Sequence, residues 1–319
     1  PRWGHRATLL SDGRVLVTGG YSVDMSSAEV YDPITNTFSA VPSGMNVERA
    51  GHQATRLPDG RVLVTGGSPN AAGVTHQTAE LWDPAVGPLG GFGSPIPMTV
   101  ARQGHAAILL TDGTVLIIGG FDENDPANLD SMEVFDPASE SFSAITATLS
   151  EGRTDHRTTL MADGSVLIVG GLALAPPPGS FFRLSSVIEI FNPATGIIKV
   201  VDPLRTHRSS FTATRLLDGR VLFVGGREIT NGLATEKLAA EVELYSSRSE
   251  EALAERNALI ALYNATNGDG WTNNTNWKTG GVFSPPGTEC TWYGLVCDST
   301  GTSIAEMNLG ANQLTGTIP

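Results

Sequence analysis

The chain has 319 residues, 40% of them hydrophobic and 17% charged, enough for one large all-β domain or two ordinary ones. No apolar run reaches the length of a membrane span, and a net charge of −13 with no basic patch excludes nucleic acid and anionic membranes as partners. The 37 glycines and 19 prolines punctuate short apolar runs, a pattern of many turns rather than disorder.

The first predicted strand is HRATLL, from His5 to Leu10. Asp12-Gly13 then reads as a tight hairpin turn whose two central positions favour positive φ. A β-branched strand, RVLVT, follows and ends at Gly19-Gly20, where glycine permits a sharp bend and close backbone approach. SAEVYDP is the third strand, stopped by Asp32-Pro33 because proline cannot donate to a ladder, and TFSAV from Thr37 is the fourth.

This line is written five times. Glycine pairs recur at Gly19-Gly20, Gly66-Gly67, Gly119-Gly120, Gly170-Gly171 and Gly225-Gly226, spaced by 47, 53, 51 and 55 residues. An Asp-Gly lies seven positions before each pair, at Asp12, Asp59, Asp112, Asp163 and Asp218. Seven positions earlier stand His5, His52, His105, His156 and, in the fifth copy, Phe211. Three before those come Arg2, Arg49, Arg102, Arg153 and Arg208. After each glycine pair a variable loop leads to Glu29, Glu80, Glu133, Glu189 or Glu243, followed by an apolar and an aromatic residue. A period near 50 ending in Gly-Gly predicts four-stranded antiparallel blades packed around an axis.

The pattern changes at Ser249. A helix is expected from an N-cap at Ser249, with Leu259, Ile260, Leu262 and Tyr263 on one face and an end at Asn267-Gly268. Beyond it come Trp271, Trp277 and the segment C-x-W-x-G-x-x-C. The closing run sets Ile304, Met307, Leu309, Asn312, Leu314, Gly316 and Ile318-Pro319 in the order I-x-x-L-x-L-x-x-N-x-L-x-G-x-I-P.

Residues 2–246 resemble the bacterial kelch repeat, R-x-x-H…DGRVL-apolar-x-GG…E-V-Y-D-P, of the galactose-oxidase-like propeller type. The fold so implied is all-β, a kelch β-propeller over residues 1–247 with four full blades and one incomplete blade. The last blade departs from the pattern, since SSRSEE replaces Asp-Pro and a fourth strand. Kelch rings close by exchanging a strand between chain ends, which places the missing strand upstream of Pro1. Residues 248–319 resemble the N-terminal cap and first repeat of a leucine-rich-repeat array, a small α/β module expected to continue past Pro319. In such caps the two cysteines bond to each other, which implies Cys290–Cys297 and an oxidising compartment. A two-thiol metal site is the alternative, and no nearby histidine or further cysteine completes one.

Candidate chemistry divides into repeated and variable positions. Four matching histidines suggest a metal ring on the axis. A residue repeated in every blade meets the same surroundings in every blade, however, so packing and hydrogen bonding account for the histidines, arginines and glutamates. Variable loops are the better candidates for binding. Asp122, Glu123 and Asp125, with Asp130, offer oxygen ligands but lack the D-x-D-x-D-G spacing of a calcium loop, and read as an acidic solvated loop. Phe181, Phe182 and Arg183, on a proline-stiffened arm, suit sugar stacking or a protein contact.

No catalytic residue, metal ligand or cofactor is assigned. Copper enzymes of this type need a cysteine cross-linked to tyrosine, and no cysteine precedes Cys290. Sialidase boxes, P-loops, G-x-S-x-G and H-E-x-x-H are also missing. The expected function is non-enzymatic recognition, by a monomeric bacterial protein outside the cell, of another protein or a surface glycan. The alternatives are a sugar-mutarotase-like enzyme, for which a channel arginine and glutamate would suffice, and a structural spacer. An asymmetric polar cluster in the channel would favour the enzyme. Asn264-Ala-Thr266 and Asn273-Asn-Thr275 match glycosylation sequons.

Overall fold

A computed structural model describes residues 2–69, 74–123, 125–174, 182–217, 219–229, 236–238, 241–245, 248–279, 282–284, 289–297, 304–310, 312–315 and 317. The first repeat forms strands β1 (Arg6–Leu9), β2 (Val15–Thr18), β3 (Ala28–Asp32) and β4 (Thr37–Ala40). They pair antiparallel in the order β1-β2-β3-β4. The second repeat gives β5 (Gln53–Arg56), β6 (Val62–Thr65) and β7 (Thr78–Asp83), with a fourth strand broken into β8 (Gly91–Phe92) and β9 (Ile96–Pro97), both paired to β7.

In the third repeat β10 (Ala106–Leu109), β11 (Val115–Ile118), β14 (Met132–Asp136) and β15 (Ser141–Ile145) make the sheet. β12 (Phe121–Asp122) and β13 (Asp125–Asn128) form a separate hairpin after the glycine pair. The fourth repeat adds β16 (Arg153–Thr154), then the sheet strands β17 (Arg157–Leu160), β18 (Val166–Val169), β21 (Ile188–Asn192) and β22 (Ile197–Val201). β16 pairs with a hairpin of β19 (Leu172–Leu174) and β20 (Phe182–Leu184). The fifth sheet has three strands, β23 (Thr212–Arg215), β24 (Val221–Val224) and β27 (Val242–Tyr245), beside the hairpin β25 (Arg227–Ile229) and β26 (Glu236–Leu238).

The second strands β6, β11 and β18 are buried on both faces because their sheets are covered on both sides, whereas β2 and β24 are fully buried on one face only. Val62 and Val64 join Leu16, Val30 and Trp82 in a cluster shared with the first sheet. Leu63, pointing the other way, packs with Val115, Ile117 and Phe135 of the third. Leu116 and Ile118 in turn meet Val166, Ile168 and Phe191. First strands of successive sheets lie side by side, while β4 is exposed along its whole length. The first strands are therefore inner and the fourth strands outer.

The Asp-Gly turns differ from expectation. Only glycine takes positive φ (Gly13, 88°), and Leu10 and Arg14 bracket a three-residue turn in which Gly13 N–H donates to the Leu10 carbonyl. The cause is the aspartate side chain. Asp12 accepts the Arg14 N–H at 3.0 Å and Arg14 Nε at 2.7 Å, which holds Asp12 in the ordinary region and leaves the left-handed position to glycine. Asp59, Asp112 and Asp163 accept the equivalent N–H, whereas Asp218 lies outside the described residues.

Glycine is obligatory at the pairs. A Cβ on Gly66 (φ +58°) would lie 2.1 Å from the Arg102 carbonyl oxygen. Gly66→Ala is accordingly expected to destabilise the chain by at least about 2 kcal/mol through overpacking and left-handed strain, measured by urea unfolding.

Contacts divide the chain into two compact units, residues 1–214 with 223–243, and 215–222 with 244–319. In the second, α1 (Arg248–Ala265) begins one residue before the expected cap, so Ser249 lies inside its first turn. Leu259 and Tyr263 pack with Trp271, Trp277, Trp292, Leu295 and Leu309. Both buried indoles at 271 and 277 donate, to the Thr266 and Tyr293 carbonyls at 3.0 Å. Cys290 and Cys297 are disulfide-bonded, with Cα atoms 5.5 Å apart. β30 (Leu295–Cys297) pairs with β31 (Ile304–Met307), and β28 (Lys278–Thr279) with β29 (Val282–Phe283). Buried Asn312 exchanges two 2.9 Å bonds with the Asn273 backbone. Thr266 is buried with its hydroxyl on the Leu262 carbonyl, and Asn273 Oδ1 is held by Thr275, so both sequons are engaged in local structure. Gly316, Ile318 and Pro319 lie outside the described residues. No helix among those described is long and apolar enough to cross a membrane.

Candidate functional site

Arg49, Arg102, Arg153 and Arg208 each join two units. The Arg49 carbonyl accepts the Gly20 N–H of the unit before it (2.8 Å). Its side chain serves its own unit: Nη1 donates to the Gly66 and Thr78 carbonyls at 2.7 Å, and Nε reaches Glu80 at 3.2 Å. Arg2–Glu29, Arg102–Glu133, Arg153–Glu189 and Arg208–Glu243 repeat the ion pair. Both partners of the second, third and fourth pairs are fully buried. Burial pushes the Arg49, Arg102 and Arg153 guanidiniums down from their usual pKa, and the glutamates oppose the shift. Glu80 also takes the Asn46 and Val47 N–H groups. These charges hold connections between strands in place, and the three fully buried pairs face no open space.

His52, His105 and His156 sit in a slot formed by the preceding unit, whereas His5 is exposed. His52 Nε2 bonds Thr18 Oγ1 and His105 Nε2 bonds Thr65 Oγ1, both at 2.8 Å, with each ring against the first glycine of the preceding pair. His156 meets Ile118 at the threonine position, and neither of its ring nitrogens has a well-formed hydrogen bond. Phe211 fills the slot in the fifth unit, its ring against Gly170, and the residue at the threonine position there is Val169. Burial is the first cause that lowers His52 and His156 to about 3 and His105 well below its usual value, with nearby arginines adding to it. All three are neutral at pH 7. Among the described residues no group of three or more His, Cys, Asp or Glu side chains is placed to hold a metal ion.

The loop candidates are brought together only in part. Arg183 on β20 is tied to Glu151, which also accepts Ser185 Oγ, so its guanidinium anchors the hairpin to its own unit. Phe182 lies opposite Leu174 in the backbone register, and Phe181 is outside the described residues. Asp122 and Glu123 do not sit in an open loop: Asp122 pairs with Asp125 across β12 and β13. Glu123 Oε1 accepts Gln103 Nε2 at 3.2 Å, and its N–H reaches Thr75 of the second unit at 3.1 Å. Asn128 at the hairpin's end donates to the Leu172 carbonyl of the fourth (2.7 Å).

The repeated line hid a further group. Residues 4, 51, 104 and 155, each just before the slot residue, form a backbone collar. Gly51 N–H donates to Gly4 O (3.3 Å), Gly104 N–H to Gly51 O (3.0 Å) and Asp155 N–H to Gly104 O (2.9 Å). Asp155 takes φ 53° where three units have glycine. Just after the slot residue, the repeat reads Arg6, Gln53, Ala106, Arg157 and Thr212. Arg6 Nε donates to Gln53 Oε1 (2.9 Å), Gln53 Nε2 to the His105 carbonyl, and Arg157 Nε to the Phe211 carbonyl (2.7 Å). Water reaches Asp155, yet burial raises its pKa, with Arg157 and then Arg6 opposing. It therefore stands in a recess, within electrostatic reach of both arginines. Beside the collar, the Tyr21 ring lies against Gly4 and stacks on exposed Trp3 at 4.1 Å. The signal available in the sequence was departure from the repeat at positions flanking the histidine.

No curated protein matches the chain in sequence. The family described as Kelch motif matches residues 2–45 and 104–147. A solved structure titled "Structure of YjhT" is similar at 17% identity and a TM-score of 0.59, over 77% of this chain and 84% of that one. With the five repeated lines and the antiparallel sheets, these matches support a kelch-repeat β-propeller as the fold of the repeated region.

Proposed function

We propose that the chain is a non-enzymatic recognition protein that works outside the cell and binds another protein or a surface glycan through the end of the propeller where its units differ. The observation that carries this reading is a division of labour. Repeated Arg and Glu side chains are engaged within the fold, while the departures from the repeat gather on the collar and on the hairpins after the glycine pairs. Exposed Trp3 on Tyr21 gives that end an aromatic surface suited to a sugar ring or an apolar side chain. The Cys290–Cys297 disulfide supports an oxidising compartment, and the tryptophan-rich second unit supports the leucine-rich-repeat cap reading.

A sugar-mutarotase-like enzyme is the second reading, favoured by Asp155 with its raised pKa beside two arginines. Both are tested by presenting the whole chain to a glycan array and a cell-surface protein extract, and by following anomer exchange of free sugars by NMR. Recognition predicts saturable capture without faster exchange. Exchange that Asp155→Asn abolishes would establish the enzyme instead.

A further inference from the structure

The recess at the collar holds two arginines that no carboxylate neutralises. The five repeated arginines each bond a glutamate, whereas Arg6 and Arg157 have no acidic group within ion-pair distance among the described residues. Their bonds go to Gln53 and to the backbone: Arg157 Nη1 leans on the His156 carbonyl at 3.3 Å, and Arg6 Nη1 on the His5 carbonyl at 3.5 Å. Among the described residues the Nη2 donors of both have no partner. Asp155 is the one acidic group beside them among the described residues; its carboxylate makes no hydrogen bond to those residues, and its backbone is in the left-handed region. Two arginines and one aspartate leave a local charge of +1 in a chain of net charge −13. The left-handed backbone at Asp155 belongs to the collar, where the equivalent residue of every unit, Ser210 included, has positive φ, whereas the two arginines beside it answer to nothing in the repeat and have no ion-pair partner among the described residues.

We propose that Arg6 and Arg157 form a site at the propeller's inner rim for a small molecule bearing a carboxylate, with Gln53 orienting Arg6 and Asp155 weakening the grip on the anion. The proposal rests on the reading that this end of the propeller binds ligands, and names what enters the recess. A planar guanidinium edge matches a carboxylate bidentately. A single negative charge balances the cluster, whereas a phosphate close to −2 would add repulsion from Asp155.

Calorimetric titration of the full chain with propionate and its neutral isostere propionamide, at constant ionic strength in chloride buffer, tests this. Propionate is expected to bind saturably, and propionamide roughly tenfold more weakly or not at all. Arg6→Met and Arg157→Met should each weaken propionate roughly tenfold. Because Arg157 also holds the Phe211 carbonyl, Asp155→Asn is the second variant: asparagine accepts the left-handed region and removes the opposing charge, so propionate should bind several-fold more tightly. Equal binding of propionate and propionamide, no binding to either wild type or Asp155→Asn, or preference for inorganic phosphate overturns the carboxylate site. Glycan or protein capture that persists in Arg6→Met alongside any of these results leaves the recognition role standing and removes only the carboxylate.

Discussion

Replacing Arg49 with methionine is expected to cost the propeller about 3–5 kcal/mol, the penalty of leaving a buried carboxylate without its partner. Glu80 would keep the Asn46 and Val47 N–H groups but lose its one cation among the described residues, while the Gly66 carbonyl loses the Arg49 donor and the Thr78 carbonyl is left with the Gly66 N–H alone. The loss should appear as a lower urea midpoint at unchanged slope. Adding Glu80→Gln removes the buried charge and is expected to recover about 1–2 kcal/mol of it, so the double variant should be more stable than Arg49→Met alone. A double variant no better than the single would mean that the carbonyl bonds, not the charge, dominate. Arg14→Met, where the arginine meets exposed Asp12 and, through Nη1, the exposed Pro88 carbonyl, should change stability by less than about 1 kcal/mol.

Acid is expected to unfold the propeller steeply, because His52, His105 and His156 are buried neutral. The unfolded chain takes up their protons near pH 6.5 while the folded chain resists down to about 3 for His52 and His156. Stability is therefore complete above about 6.5 and falls with pH below it, by about 1.4 kcal/mol per unit for each histidine. Asp155, whose pKa is raised, acts weakly in the opposite direction. His156→Phe copies the choice already made at Phe211 and puts an apolar ring against Ile118. It should leave stability at pH 7 equal or higher and reduce the acid slope by about 1.4 kcal/mol per pH unit, read from urea midpoints across the range. An unchanged slope would mean that His156 already takes up protons in the folded state.

The blades were legible because each strand, turn and charge recurs in register. A Gly66 that must approach Arg102 writes itself again as Gly119 approaching Arg153. Repetition is also why the rim was missed. Arg6, Gln53 and Arg157 share a repeat position with Ala106 and Thr212, and Asp155 stands where three units have glycine, so a search for agreement passes over them, although they stand beside the most regular residues in the chain. The acidic segment after Gly120 was read as an open loop from its composition, yet Phe121 pairs with Asn128 because the hairpin's end is fastened to Leu172 of the next unit, a long-range bond that local spacing does not reveal. Asp12-Gly13 misled for a different reason: dipeptide preference counts backbone angles, and the carboxylate bond to Arg14 decided the turn. In the tail, the helix face and the cysteine pair followed from spacing and resemblance, whereas the grip of Asn312 on Asn273 depends on a fold that brings residues 39 apart together.

The slot between units also bears on heredity. A threonine ending one unit's second strand meets a histidine opening the next, twice, and a valine meets a phenylalanine. Each unit thus carries half of a key that only a matching neighbour completes. Recombination that exchanged the first and second units would keep every key, while one that set the fifth behind either of them would place phenylalanine against a threonine hydroxyl. At the Ile118–His156 junction the key is only half cut, a histidine meeting no hydroxyl, so that junction would lose the least if its neighbour were exchanged.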